Sequence, residues 1–203
     1  MNRQTTREWL LGIAVVLLSI TATVVPAFGQ AAHVRWDIVS LNPPADFTSD
    51  PDGIASALAS DGSKIVLMGA GTFVAPAGGS GTSGAGTGGG TWATFSASNV
   101  PTGNGTYWVT GLVRWAQAPG SLPSPPFLDN IGDPAEMGAG LAVLRIQYSD
   151  GERGILVVSC HLAGTPDSVF EGITASKGFV DYFNSQAPIP GVDANRTLFH
   201  VRQ

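Results

Sequence analysis

The sequence has a single cysteine among its 203 residues, Cys160, so no internal disulfide can staple the fold and the core must hold it. Charge is also scarce: 12% of residues are charged, against about 25% in an average soluble domain. There are only two lysines, Lys64 and Lys177, and the formal net charge is −5. A net-acidic surface with so few cations has no electrostatic footprint for nucleic acid, and none for an anionic bilayer. Motifs that carry chemistry are missing as well. Gly79 to Gly84 spells a formal Gly-x-Gly-x-x-Gly, but it precedes a strand rather than a helix and no acidic residue stands about 20 positions on, so it is no dinucleotide fingerprint. Ser83 sits in Gly-Thr-Ser-Gly-Ala rather than Gly-x-Ser-x-Gly, and the nucleophile elbow is absent too.

What is present in quantity is apolar residues (43%), 27 glycines and 14 prolines. That mixture predicts a packed domain of short strands joined by many turns. Residues 1–29 stand apart from it. Arg3 and Arg7 precede the apolar run Leu10 to Ile20, and Ala27-Phe28-Gly29 places small residues where a signal peptidase reads. The segment reads as a cleaved signal peptide of a secreted or periplasmic protein. An uncleaved anchor spanning Trp9 to Phe28 is the alternative, and it would be the chain's only route to a membrane. Cleavage would remove Arg3, Arg7 and Glu8 and take the formal charge from −5 to −6. Residues 30–203 then form a single, mainly β domain.

Within that domain His33 to Leu41 alternates Val34, Trp36 and Ile38 against Arg35 and Asp37, the period of a half-buried strand. Ala45 to Ser63 is acidic and turn-rich, with a short apolar patch at Ile54 to Ala59 that reads as one helical turn. Its carboxylates lack the order of a calcium loop. Lys64 to Ala75 is apolar on both faces, as a covered strand is. In residues 77–90, eight of fourteen are glycine, which predicts a mobile loop. Thr91 to Ala97 and the aromatic strand Gly105 to Gln117 then make a plausible second hairpin. Tyr107, Val109, Val113 and Trp115 share one face of that strand. Pro119 to Gly140, with its prolines and with Asp129, Asp133 and Glu136, reads as a long surface excursion.

Leu141 to Asn184 carries the clearest signals. Ser149-Asp150-Gly151 between two alternating runs predicts a hairpin. A two-residue loop would set Ile146 opposite Ile155. A three-residue loop with Gly151 left-handed would pair Leu144 with Leu156 and Ala142 with Val158, and is preferred because it aligns Leu156, Val158, Cys160 and Leu162 as one apolar face. Cys160 and His161 then point to opposite sides and cannot share a proton. Thr165-Pro166-Asp167 has the order of a helix start, and Val169, Phe170, Ile173, Phe179, Val180 and Phe183 fall in one helical arc, so a helix over about 166–184 is expected. A hairpin turning at Ser176-Lys177-Gly178 is the alternative, since Gly172 and Gly178 each cost a helix about 1 kcal/mol. Arg196 to Val201 closes the chain as a strand. Asn104 and Asn195 match glycan acceptor patterns.

The expected fold is therefore mainly β, an antiparallel barrel or sandwich of about 7–9 strands with one C-terminal helix packed on it and a final strand. This order resembles the barrels of the calycin type. The Gly-x-Trp signature of lipocalins is absent, with Val34-Arg35-Trp36 in its place, so the resemblance is architectural and does not carry function. Three functional classes remain open. The first is a binding or scaffold module for a small apolar ligand or a protein partner, with Tyr107, Trp108, Trp115 and Arg145 as ligand-binding candidates. The second is an exported enzyme using His161 with Glu171 or Asp181 for acid/base chemistry. The third is a metal site, which would need His33, His161 and His200 to converge from three strands; no spacing supports it, and neither a metal nor another cofactor is expected.

Overall fold

Strand β1 (Ala32–Asn42) is the spine of the sheet, and its alternation works as the sequence predicts: Val34, Trp36 and Ile38 are all buried. In the computed structural model, residues 31–42, 48–75, 86–121, 128–186 and 194–202 are described, all within one compact unit, Ala31–Gln203. The segment 1–29 read as a signal peptide and the glycine motif at 79–84 lie outside the described residues.

On one side β1 pairs antiparallel with β4 (Lys64–Ala75), and on the other with β13 (Arg196–Arg202). From β4 the ladder runs through β5 (Gly86–Phe95), β6 (Pro101–Ala118), β8 (Met137–Tyr148), β9 (Arg153–Cys160), β10 (Gly172–Lys177) and β11 (Val180–Tyr182). Strand β13 also meets the start of β8, with Phe199 opposite Gly138, so the pairing path through β1, β4, β5, β6, β8 and β13 returns on itself. The first half of β4 carries β3 (Ala55–Leu58), which in turn pairs with β12 (Asn184–Gln186). Two short strands, β2 (Thr48–Asp50) and β7 (Leu128–Asp129), pair in parallel and extend from the end of β1. The mainly β expectation holds, in one large sheet with thirteen strands among the described residues. The difference from the expected 7–9 comes from the short pieces that cap longer strands.

The inward faces build one hydrophobic core around Trp36, Phe73, Tyr107, Tyr148 and Phe199. Glycine makes room for these rings. A Cβ on Gly71 would lie 2.8 Å from the Trp36 Nε1, and one on Gly69 would collide with the Tyr107 hydroxyl. The same logic corrects the last part of the loop predicted at 77–90: Gly86 to Gly90 are strand, paired with Phe73 to Gly69, while 77–85 lie outside the described residues. Residues that cannot pack by themselves let two backbones and the large rings beneath them approach closely.

The helix expected over about 166–184 is absent. The chain makes a turn at Pro166 to Val169, closed by the Val169 amide on the Pro166 carbonyl. It then forms β10 and β11, a hairpin with Lys177 opposite Val180. Gly178, at φ +57°, takes the first loop position, where a II′ turn requires a positive φ. Gly172 at φ +104° is likewise outside helical space, and the Asn195 amide occupies the place of its missing side chain. Period two governs here: Ile173 and Ala175 are buried while Phe179 and Phe183 are exposed. Burying Ile173 beside Val158 in an existing ladder stabilises by about 1.5–3 kcal/mol, and a helix would carry two glycine penalties of about 1 kcal/mol each. The helical turn expected at Ile54 to Ala59 is also replaced by a strand, β3, for the same reason: Ala55 and Ala57 pack inward against a neighbour already present.

The central hairpin adopts the three-residue loop. Leu144 faces Leu156 and Ala142 faces Val158, with Gly151 at φ +92°. Cys160 is buried, and its thiol is pushed well up by that burial. Asn195 is also buried at φ +64°, accepting from the Ser56 amide (3.1 Å) and donating to Ser185 Oγ (2.5 Å). It is a structural corner rather than a glycan acceptor.

Candidate functional site

Two irregularities in β6 decide which of its side chains reach solvent. Bulges between Val109 and Gly111 and between Leu112 and Arg114 each insert one residue against β8. A bulge shifts the alternation of the strand that carries it. The inward set becomes Tyr107, Val109, Leu112 and Trp115, and the outward set Trp108, Gly111 and Arg114; Val113, expected inside, is the extra residue of the second bulge. Trp115 packs at 4.7 Å from the Phe199 ring and 5.3 Å from Phe73. Tyr107 is buried against Tyr148, and desolvation raises its pKa. Neither side chain lines an outer site.

Trp108 reaches solvent instead, with 44% of its surface exposed. Across the sheet it faces Gln147, which faces Arg153. One step along, Gly111 faces Arg145, which faces Ile155. Between these rows lies an open cleft of about 500 Å³ lined by Thr110, Arg145, Gln147, Arg153 and Ile155. Of the four ligand-binding candidates, Trp108 and Arg145 thus meet on one face, while Tyr107 and Trp115 belong to the core.

The predicted acid/base group is only partly assembled. Glu171 is close to His161, but to its main chain: the carboxylate accepts from the His161 amide at 2.5 Å and from the Thr197 amide at 2.8 Å. The His161 ring is engaged elsewhere, with Nδ1 at 2.7 Å from the Val169 carbonyl. Burial raises the Glu171 pKa to about 7, against the opposing effect of those two amides. A pocket of only about 70 Å³ adjoins the pair. Asp181 is exposed on β11 opposite Ser176, at the far end of β10 from Glu171, and takes no part.

A second polar cluster went unrecognised in the sequence. The residues around β2 and β7 fold back over the outer face of β1 and β13. The His200 Nε2 lies 2.6 Å from Asp129 Oδ2, while Ser49 Oγ and the Ile131 amide each donate to Asp129 Oδ1 at 2.8 Å. Arg35 forms a two-pronged pair with the buried Asp37 and reaches the Ile131 carbonyl. Burial by itself would raise the Asp129 pKa, but the three donors more than offset it and the pKa is lowered. His200 Nδ1 is buried without a partner, so the ring presents no accessible base to the adjoining 320 Å³ pocket. The only signal in the sequence was the pairing of polar Arg35, Asp37 and His200 with a carboxylate-bearing excursion; their contact is entirely tertiary. Among the described residues no three His, Cys, Asp or Glu side chains are grouped to hold a metal ion, and His33, His161 and His200 do not converge. No family model, curated protein or solved structure matches this chain.

Proposed function

We propose that this protein is a binding module and that its ligand lies on the outer face of β6, β8 and β9. The observation that carries this reading is Trp108, a large ring left 44% exposed in the row that continues across the sheet through Gln147 and Arg153, which line a cleft holding two arginines and two hydrogen-bonding side chains. Aromatic rings stabilise a fold mainly through burial, and a ring held out of the core beside guanidinium groups is the composition of a recognition surface. We take the returning ladder of six strands as a small barrel rather than a sandwich. Its interior is filled by Trp36, Phe73, Tyr148 and Phe199, which favours the outer face over a barrel mouth as the place for a small apolar ligand or a protein partner. The basic front and apolar run of residues 1–29 support export to the periplasm or the exterior.

The enzymatic alternative rests on Glu171, with its pKa near 7. Both of its oxygens are engaged by main-chain amides, and the role this supports is tying β13 to the end of β9. The binding reading is tested by screening the full chain against sugars, aromatic compounds and peptides by tryptophan fluorescence. A ligand of this face changes the emission, and Trp108→Ala weakens its binding at least tenfold, about 1.4 kcal/mol, with an unchanged thermal midpoint. A ligand bound equally by wild type and Trp108→Ala refutes the site.

A further inference from the structure

The basic side chains of this acidic protein are unevenly employed. Arg35, Lys177 and Arg202 each hold an acid partner, and Lys64 lies on Phe95 and bonds Asn99. Among the described residues, Arg114, Arg145 and Arg153 have no ion pair, hydrogen-bonded side chain or ring contact. All three are exposed, and all three lie on the outer face of β6, β8 and β9. Their registers place them on one diagonal. Arg153 faces Gln147, two residues from Arg145 on β8; Arg145 is in turn two residues from Val143, which faces Arg114. Diagonal neighbours of this kind are about 7–8 Å apart, so the three guanidinium groups form a stripe of roughly 15 Å with Trp108 and Thr110 beside it.

We infer that this stripe recognises an acidic polysaccharide, an extended chain of carboxylate- or sulfate-bearing sugars. The inference rests on the binding reading above and names the ligand class of the same face. Guanidinium groups match carboxylate and sulfate geometry with paired N–H donors. The indole of Trp108 offers a flat apolar surface to the C–H face of a sugar ring. Thr110 and Gln147, both lining the cleft, supply the hydroxyl and amide that sugar hydroxyls need. An acidic peptide fits less well as an added strand, because β8, at the centre of the stripe, is paired on both sides, with β6 and with β9. A lipid surface is disfavoured because the patch has one exposed large apolar ring, and the net charge of −5 repels an anionic bilayer beyond the contact zone. The same net charge confines attraction for any anion to short range, within a Debye length of about 8 Å, so the ligand must lie along the stripe rather than be drawn from afar.

The test is calorimetric titration of the full chain with polygalacturonate, dextran, polyglutamate and phosphatidylglycerol vesicles, repeated with R114Q, R145Q, R153Q and the triple variant. The expected result is binding of polygalacturonate that weakens as salt rises. Each single substitution should cost about two- to five-fold in affinity, and the triple variant more than tenfold, the range expected of exposed ion pairs. Because the three side chains are exposed and unpaired, the variants should keep the wild-type thermal midpoint. Dextran bound as well as polygalacturonate, and equally by the triple variant, overturns the acidic-ligand inference while leaving the cleft as a binding site. Binding of polyglutamate or vesicles alone also overturns it, by assigning the stripe a different occupant. If none of the probes binds and the Trp108 screen is also empty, both readings fall.

Discussion

Glu171 should make the stability of this protein depend on pH in a direction opposite to that of most paired carboxylates. Its pKa is raised by burial from 4.5 to about 7 in the folded state. Between those two values the folded chain holds a proton that the unfolded chain has released. The stabilising contribution is therefore complete below about pH 4.5 and is lost as pH rises through 7. The separation of about 2.5 units corresponds to about 3 kcal/mol, a large share of the roughly 5–15 kcal/mol available to a domain. Glu171→Gln removes the titration. It keeps one acceptor for the His161 amide or the Thr197 amide, now at 2.5 and 2.8 Å, and leaves the other facing an NH₂ group, at a cost of about 1–3 kcal/mol that does not vary with pH. Urea unfolding of both proteins at a series of pH values isolates the effect, because every other titrating group cancels in the difference. The wild type should lose about 3 kcal/mol relative to Glu171→Gln between pH 4.5 and 7.5 or so. A difference that stays flat across that window refutes the raised pKa and the account of Glu171 as a buried, weakly compensated acid.

Asp129→Ala strips one buried acceptor from His200, Ser49 and the Ile131 amide and should destabilise by about 3 kcal/mol, roughly one per orphaned partner. Because the Asp129 pKa is lowered in the fold, its contribution is present above the unfolded value near 4 and should be lost as pH falls through the folded value. Urea midpoints that match the wild type would show that this carboxylate does not hold the segment around β7. Cys160, buried with its thiol pKa raised, should react with a thiol reagent only as fast as the chain opens. Labelling of the native protein at the rate of a free peptide thiol would contradict its place in the core.

The sequence alone determined the class of fold and the register of its central hairpin. Alternation at Val34, Trp36 and Ile38, and at Leu144 and Ile146, is a local property: each residue's face follows from its neighbours two positions away. Asp150-Gly151 likewise carried its turn within four residues. The helix forecast for 166–184 failed because local cap signals at Thr165 and Pro166 were weighed without the edge of β9, whose unpaired ladder claims Ile173 and Ala175. The glycine run at 86–90 was unreadable as a strand for the converse reason: the backbones it packs against, at Met68 to Gly71 and at Tyr107 to Trp108, lie on other strands that the spacing does not place beside it.

The polar groups were decided by tertiary structure alone. Asp129 and His200 are 71 positions apart, and nothing in the spacing of either announces the other. The composition read the chain as an acidic surface with few cations, and that remains true of the sum. The sum does not show where the cations go. Two bulges in β6 and the three-residue loop of the central hairpin set Arg114, Arg145 and Arg153 on one diagonal beside Trp108. Charge counts are additive along a chain, whereas a binding surface depends on which charges share a face and which already have partners.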